Sequence, residues 1–244
     1  MKNRFISTLE KIKQRGFWEI QFLPIKETPI SLKPPQLKKM IKDCRVMLRG
    51  WDYPHYPEVS NEIQDIYWDS KENSIKSWTD WGAYKECWQF YRNRKFLHFL
   101  AVHEDWLEEE DRFWRSAGLE KVKPGEIISI IGIIYFFTEI FEFLKNLTNK
   151  NIYERELNIV ITLFNTYGRR LEVLDPMRAP LLGKYWSREE RIKIEKKHST
   201  REIKENSQKI AKDWIEEFFH NFQWDNPPLD LIEKEQNKLL ERKL

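Results

Sequence analysis

The stretch IISIIGIIYFFT, residues 127–138, runs for 12 residues without a charge between Glu126 and Glu139. No other feature limits the fold as strongly. A segment this apolar must leave water, yet it is too short for a bilayer, which takes about 20 residues to cross. It continues as EIFEFLKNL, where Glu139, Glu142 and Asn146 interrupt the apolar surface at 3–4 spacing. The pattern predicts a helix over 126–147, buried as the central element of a core and polar along one narrow edge.

Such a helix has to be surrounded. The chain has 244 residues, 41% of them hydrophobic, and 11 are Trp. That is enough for a substantial core, because each Trp buries about 150–250 Å². The flanking segments supply the cover. Phe5, Leu9 and Ile12 make residues 1–15 an amphipathic helix, FWEIQF (17–22) alternates as a strand, and 24–35 is a Pro-rich connection. Leu37, Met40, Ile41, Cys44, Met47 and Leu48 trace a helical stripe from Pro35 to 48. IQDIYW and SIKSW flank the turn DSKENS as a hairpin. TDWGAYKECWQFYR returns to helical spacing, with Asp80 as its N-cap. KFLHFLAVH is apolar on both faces, as a central strand is. EDWLEEEDRFWRSAG reads as a short acidic helix. ELNIVITLF and RRLEVLD flank NTYG as a second hairpin, and 176–186 reads as an exposed loop. Ser199 and Glu202 form a capping box for a long amphipathic helix, and a last charged helix covers 229–242. The expected fold is one α+β domain over 1–244, with antiparallel hairpins packed on the buried central helix and amphipathic helices at the C-terminus.

Charge and cysteines narrow the function. The 42 Lys and Arg against 39 Asp and Glu give a net charge of +3, which excludes a histone-like polycation. Cys44 and Cys87 fit no zinc or disulfide spacing and sit where buried helical residues are expected, as free thiols of a reducing cytoplasm. The N-terminus MKNRFISTLEKIKQRG has no apolar signal-peptide core. A cytoplasmic protein without membrane association is expected.

The densest cluster of reactive residue types is RGWDYPHYP, 49–57. Gly just past a helix, a hydrophobic residue and then Pro form a common stop signal. Gly50, Trp51 and Pro54 are therefore expected to end the 35–48 helix, with Gly50 in the left-handed region. Asp52 and His55 are left over as a candidate acid–base pair. A second set is His103, Glu104 and Asp105 at the end of the KFLHFLAVH strand. His98 and His103 differ by an odd number along a strand, so they face opposite ways and share no metal. His98 is expected in the core. No GxSxG, Walker, HExxH or CxxC motif is present, and no metal site or cofactor is expected. Basic residues cluster near predicted helix ends and turns, and Lys42, Arg45, Arg49, Arg169, Arg170 and Arg178 form a candidate face for an anionic partner. The acidic 104–111 run is expected to be solvated.

In order, LRGWDYPH, YKECWQFYRNRKFLHFLAVHEDW, IIYFFTEIFEFLKNL, ITLFNTYGRRLEVLDPMRAPL and FHNFQWDNPP resemble an uncharacterised bacterial family over about residues 35–240. In some of its members a similar region accompanies an AlbA-like, Schlafen-type nucleic-acid-binding domain. The resemblance implies a nucleic-acid-associated or defence-related accessory role. The leading expectation is a non-enzymatic binding or sensing module with a protein partner or nucleic acid. The alternative is a hydrolase or nuclease using Asp52 and His55 with His103, Glu104 and Asp105.

Overall fold

The strand β1 (Phe17–Pro24) organises the molecule, because both of its edges are paired. On one side lies β5 (Phe96–Ala101) and on the other β7 (Glu156–Phe164), both antiparallel to it. In the computed structural model, which describes residues 2–109, 122–175 and 178–243, the full sheet has seven strands. β2 (Gln64–Asp69), β3 (Ser74–Trp81) and β4 (Tyr84–Tyr91) lead into β5, and β9 (Arg191–Ser199) closes the far edge, giving the order β2-β3-β4-β5-β1-β7-β9. Every pairing within this sheet is antiparallel.

Period-2 alternation divides the side chains between two cores. Trp18, Ile20 and Phe22 of β1, with Trp88, Phe90 and Phe96, enter the larger core. Its centre is α3 (Ile130–Asn149), flanked by α2 (Pro34–Cys44), α4 (Thr200–His220) and α5 (Leu229–Leu240). Phe17, Trp78, Cys87 and Ala101 point the other way, where α1 (Lys2–Ile12) covers them with Phe5 and Ile12. The α+β class and the buried central helix follow directly from this layering. Among the described residues, no helix is long and apolar enough to cross a membrane.

The central helix starts later than its composition suggests. Ile127–Ser129 form a short strand, β6, parallel to β8 (Arg170–Glu172), and Ser129 Oγ then caps the helix by accepting from Gly132 N at 3.0 Å. The apolar run therefore serves two elements. β7 and β8 do not form a hairpin, since β7 is already saturated by β1 and β9. β9 was not expected at all, although Ile192 and Ile194 alternate with exposed charges along it.

Two helical expectations fail for physical reasons. The α2 helix stops at Cys44, and Arg45 is extended (φ −56°, ψ 149°) because Val46 bridges to Tyr53. Gly50 therefore caps nothing; it is absent from the positive-φ residues, and a Cβ there would meet nothing within 4 Å. Residues 84–91 are a strand, and Asp80 lies in β3 opposite Lys85 rather than at an N-cap. Both faces of β4 are covered, Cys87 by α1 and Trp88 by the large core, so its apolar residues carry no clean period. The end of the 35–48 stripe and the acidic run also change character. His103–Glu109 is a short 3-10 segment, and its last two carboxylates are paired: Glu108 with Arg15, Glu109 with Lys11 and Lys85. The rest of the acidic segment, from 110 on, and Pro176 and Met177 of the predicted loop lie outside the described residues. Elsewhere that loop is exposed at Leu182 but anchored where Tyr185 stacks on Trp224.

Candidate functional site

RGWDYPHYP lies across the large-core face of β4 and β5. His98 and Glu86 face it from the sheet, with His98 Nε2 at 2.7 Å from Glu86 Oε2. Trp51 Nε1 donates to the other Glu86 oxygen at 2.9 Å, and Tyr53 OH lies 3.2 Å from His98 Nδ1. Burial pushes the Glu86 carboxyl up, but His98, His55 and Trp51 outweigh it and hold Glu86 below the ordinary range. Burial, reinforced by the Glu86 and Glu139 charges, holds the Tyr53 phenol protonated. His98 is thus a satisfied core histidine, as its strand position suggested.

Asp52 and His55 do come together. His55 Nδ1 is 2.6 Å from Asp52 Oδ1, and the second ring nitrogen is 3.0 Å from Gln64 Oε1. Burial lowers the imidazole pKa, but the Asp52 hydrogen bond, Glu86 and Gln64 outweigh it and leave His55 raised. Both nitrogens are engaged, and Asp52 also accepts from Tyr56 N and pairs with Arg45. The pair is built to hold a loop, with no open nitrogen facing a substrate.

The open space lies beside this pair, on the far side of the Trp51 ring. A cleft of about 560 Å³ is floored by Trp18, Leu100, Ile133 and Phe136. One wall is Arg49, Gly50 and Trp51, and another is the β3–β4 turn with Trp81 and Tyr84. His103 and Glu104 close a third side, next to Ser129 and Gly132 at the start of α3. Three rings stack in sequence, His55 on Trp51 at 4.0 Å and Trp51 on Tyr84 at 4.6 Å, and His103 lies tilted against Tyr84 at 5.0 Å. At the rim Trp81 is 57% and Tyr84 38% exposed.

Two charged side chains face this space, and each is fixed. Arg49 Nε and Nη2 donate to Glu139 Oε1 and Oε2 at 2.9 and 2.7 Å. Burial raises the Glu139 carboxyl, and Arg49 offsets part of that rise. Glu104 Oε1 accepts from Ser129 N at 2.8 Å, at the N-terminus of α3. Arg49 Nη1 and Glu104 Oε2 make no hydrogen bond among the described residues.

The remaining expected site residues are scattered. Asp105 lies away from the cleft, in a buried pair with Arg169: Oδ1 and Oδ2 accept from Nη1 and Nη2 at 2.8 and 2.7 Å. Arg169 is completely buried, which corrects its expected place on an anion-binding face. The other five basic residues each have a carboxylate partner. Lys42 and Arg45 share Glu58, and Arg49 holds Glu139. Arg170 meets Glu126 and Glu172, and Arg178 meets Asp175 and Glu235. The six do not converge, since Arg169 and Arg170 lie at β8 while Lys42 and Arg45 lie at α2. Trp18, Trp81, Tyr84, Ser129 and Gly132 were not singled out from sequence. The only hint of them was WGAY, two aromatics around a two-residue turn. Compared with family models, curated proteins and solved structures, the chain matches none.

Proposed function

We propose that the protein is a non-enzymatic binding or sensing module that receives a planar ring of its ligand in the aromatic cleft. One observation carries this reading: large aromatic side chains stand exposed at the mouth of a concave, apolar-floored site, where Trp81 and Tyr84 are 57% and 38% exposed. Pockets of this size with few polar groups are the usual form of small-ligand sites. The resemblance noted in the sequence is in keeping with an accessory, defence-related role alongside a protein or nucleic-acid partner. The two free, buried thiols suit a cytoplasmic location.

The hydrolase or nuclease alternative rests on one observation of its own, that His103 and Glu104 line the same cleft. It loses Asp105 to Arg169 and finds both nitrogens of His55 engaged.

The test is fluorine NMR of protein labelled with 5-fluorotryptophan, against a small library of planar aromatic fragments. The Trp51 and Trp81 resonances, assigned by single substitution, are expected to shift ahead of the other Trp signals. A library that leaves both unmoved sinks the reading. Turnover of a phosphodiester or ester substrate that disappears in Glu104→Gln would promote the alternative.

A further inference from the structure

We infer that the ring received by the cleft is a nucleobase, with guanine the best match. The inference rests on the binding reading above and adds the chemistry of the ligand. The cleft combines an apolar, aromatic lining with one donor group and one acceptor group. Arg49 is held through Nε and Nη2, and among the described residues Nη1 is left as an unengaged donor. Glu104 is anchored through Oε1, and among the described residues Oε2 is left as an unengaged acceptor. Both residues line the space that Trp51 and Trp81 border.

This arrangement selects against charged ligands of either sign. Arg49 is neutralised by Glu139, which is only 1% exposed in its side chain. A phosphate would find that positive charge already compensated and would also meet Glu104. An ammonium would meet Arg49. A zwitterion such as a free amino acid would surrender the hydration of two full charges for one partner each, and an isolated charge is costly to desolvate. A neutral ring with a carbonyl on one edge and N–H groups on another needs only one partner on each side. Stacking on an aromatic side chain favours any base, because every base has a π-face.

The donor and acceptor groups then discriminate among bases. Guanine presents the adjacent acceptors O6 and N7, which arginine reads, and on the neighbouring edge the N1 and N2 N–H donors, which suit a carboxylate. Adenine places a ring-nitrogen lone pair beside its amino group, so a carboxylate there meets one donor and one repulsive acceptor. The base could arrive in a nucleoside or on a single strand, and the chemistry in the cleft is the same.

The test uses guanosine, adenosine and a trinucleotide with central guanine, titrated into the full chain and read by the Trp51 and Trp81 fluorine resonances. Guanosine is expected to bind about tenfold more tightly than adenosine, the size of one well-made base contact. Glu104→Gln keeps an oxygen for Ser129 N but replaces the free acceptor with an amide donor. It is expected to remove that preference, weakening guanosine about tenfold while adenosine holds or gains. Because adenosine binding reports an intact cleft, loss of fold cannot mimic this result. A trinucleotide that binds more tightly than guanosine identifies a strand as the source, and equal affinity identifies the free nucleoside. Equal binding of the two nucleosides to wild type overturns the inference, as does an unchanged preference in Glu104→Gln. If N-acetyltryptophanamide shifts Trp51 and Trp81 while no nucleoside does at millimolar concentration, the nucleobase assignment falls and the binding reading stands.

Discussion

Two arginine–carboxylate pairs in this protein are both bidentate, one end-on through Nη1 and Nη2 of Arg169 and the other side-on through Nε and Nη2 of Arg49, and their surroundings are opposite. At Arg169 everything is enclosed. Its guanidinium donates to both Asp105 oxygens and to Ile127 O, while the Asp105 oxygens also accept from Gly16 N and Gly125 N at 2.8 Å. One ion pair thereby ties the entrance of β1, the approach to β6 and the start of β8. At Arg49 the carboxylate is buried but the guanidinium side chain is 34% exposed and borders open space. The first pair is closed to a ligand because both of its side chains are buried. The second keeps an oriented donor free because its partner fixes it from behind. Sequence position does not separate the two, since both arginines were read as surface cations near turns.

The comparison can be broken most severely at the enclosed pair. Arg169→Ala strands Asp105 in the interior, and removing one partner of a buried pair costs about 3–5 kcal/mol. Denaturant unfolding should show the loss; a change below about 1 kcal/mol would mean that this hub is not structural. Gly16 supports the same hub by lacking a side chain, because a Cβ there would collide with Arg169 Nη2 and lie 2.6 Å from Asp105 Oδ2. Gly16→Ala should therefore cost about 1–3 kcal/mol by overpacking, whereas Ala at an unconstrained loop glycine is close to neutral.

The open pair should respond differently, through pH. Burial raises the Glu139 carboxyl, so the folded chain keeps a proton that the unfolded chain has released, and stability falls as pH rises between the two values. Arg49→Met removes the offsetting charge and extends that window upward. Its melting temperature should therefore fall further behind wild type from acid to neutral pH; a constant gap would show that Glu139 does not depend on Arg49. His55 has the opposite origin but the same slope. Its raised folded pKa contributes stability that is complete below the unfolded value, about 6.5, and is lost as pH rises through the folded value. The deficit of His55→Gln should accordingly be largest in mild acid and shrink in alkali. The smallest effect belongs to Gly50→Val, where φ is not left-handed and the Cβ position is open. The melting temperature should stay within the shift produced by about 0.5 kcal/mol.

Local signals in the sequence served well. Ser199 and Glu202 make the predicted capping box, with Ser199 Oγ accepting from Glu202 N at 3.2 Å. The two-sided apolarity of KFLHFLAVH marked β5 as central, and it is the fourth of seven strands. What was not legible depended on pairing at a distance. Tyr84–Tyr91 resembles a helix until α1 and the 49–57 loop are known to cover its two faces. RRLEVLD resembles the second arm of a hairpin until β9 is seen to occupy β7. The basic residues looked like one face because their partners, Glu58, Asp105, Glu139 and Glu235, are remote in sequence from most of them. The site itself is the extreme case: its lining comes from β1, the 49–51 loop, the β3–β4 turn, the 103–104 turn and α3. No window of sequence contains more than a fragment of it.

The place of β1 between β5 and β7 also has a consequence in time. Residues 17–24 leave the ribosome first among the strands, yet one partner follows at 96–101 and the other only at 156–164. The β2–β5 meander can form from neighbours in sequence and β1 can join it at β5, but the second edge of β1 stays open until β7 has been made. Contacts this non-local slow folding, and an unpaired strand edge is a site for association with other chains. For much of its synthesis, then, the strand that ends at the centre of the sheet is an open edge, and β7 has to reach it before another chain does.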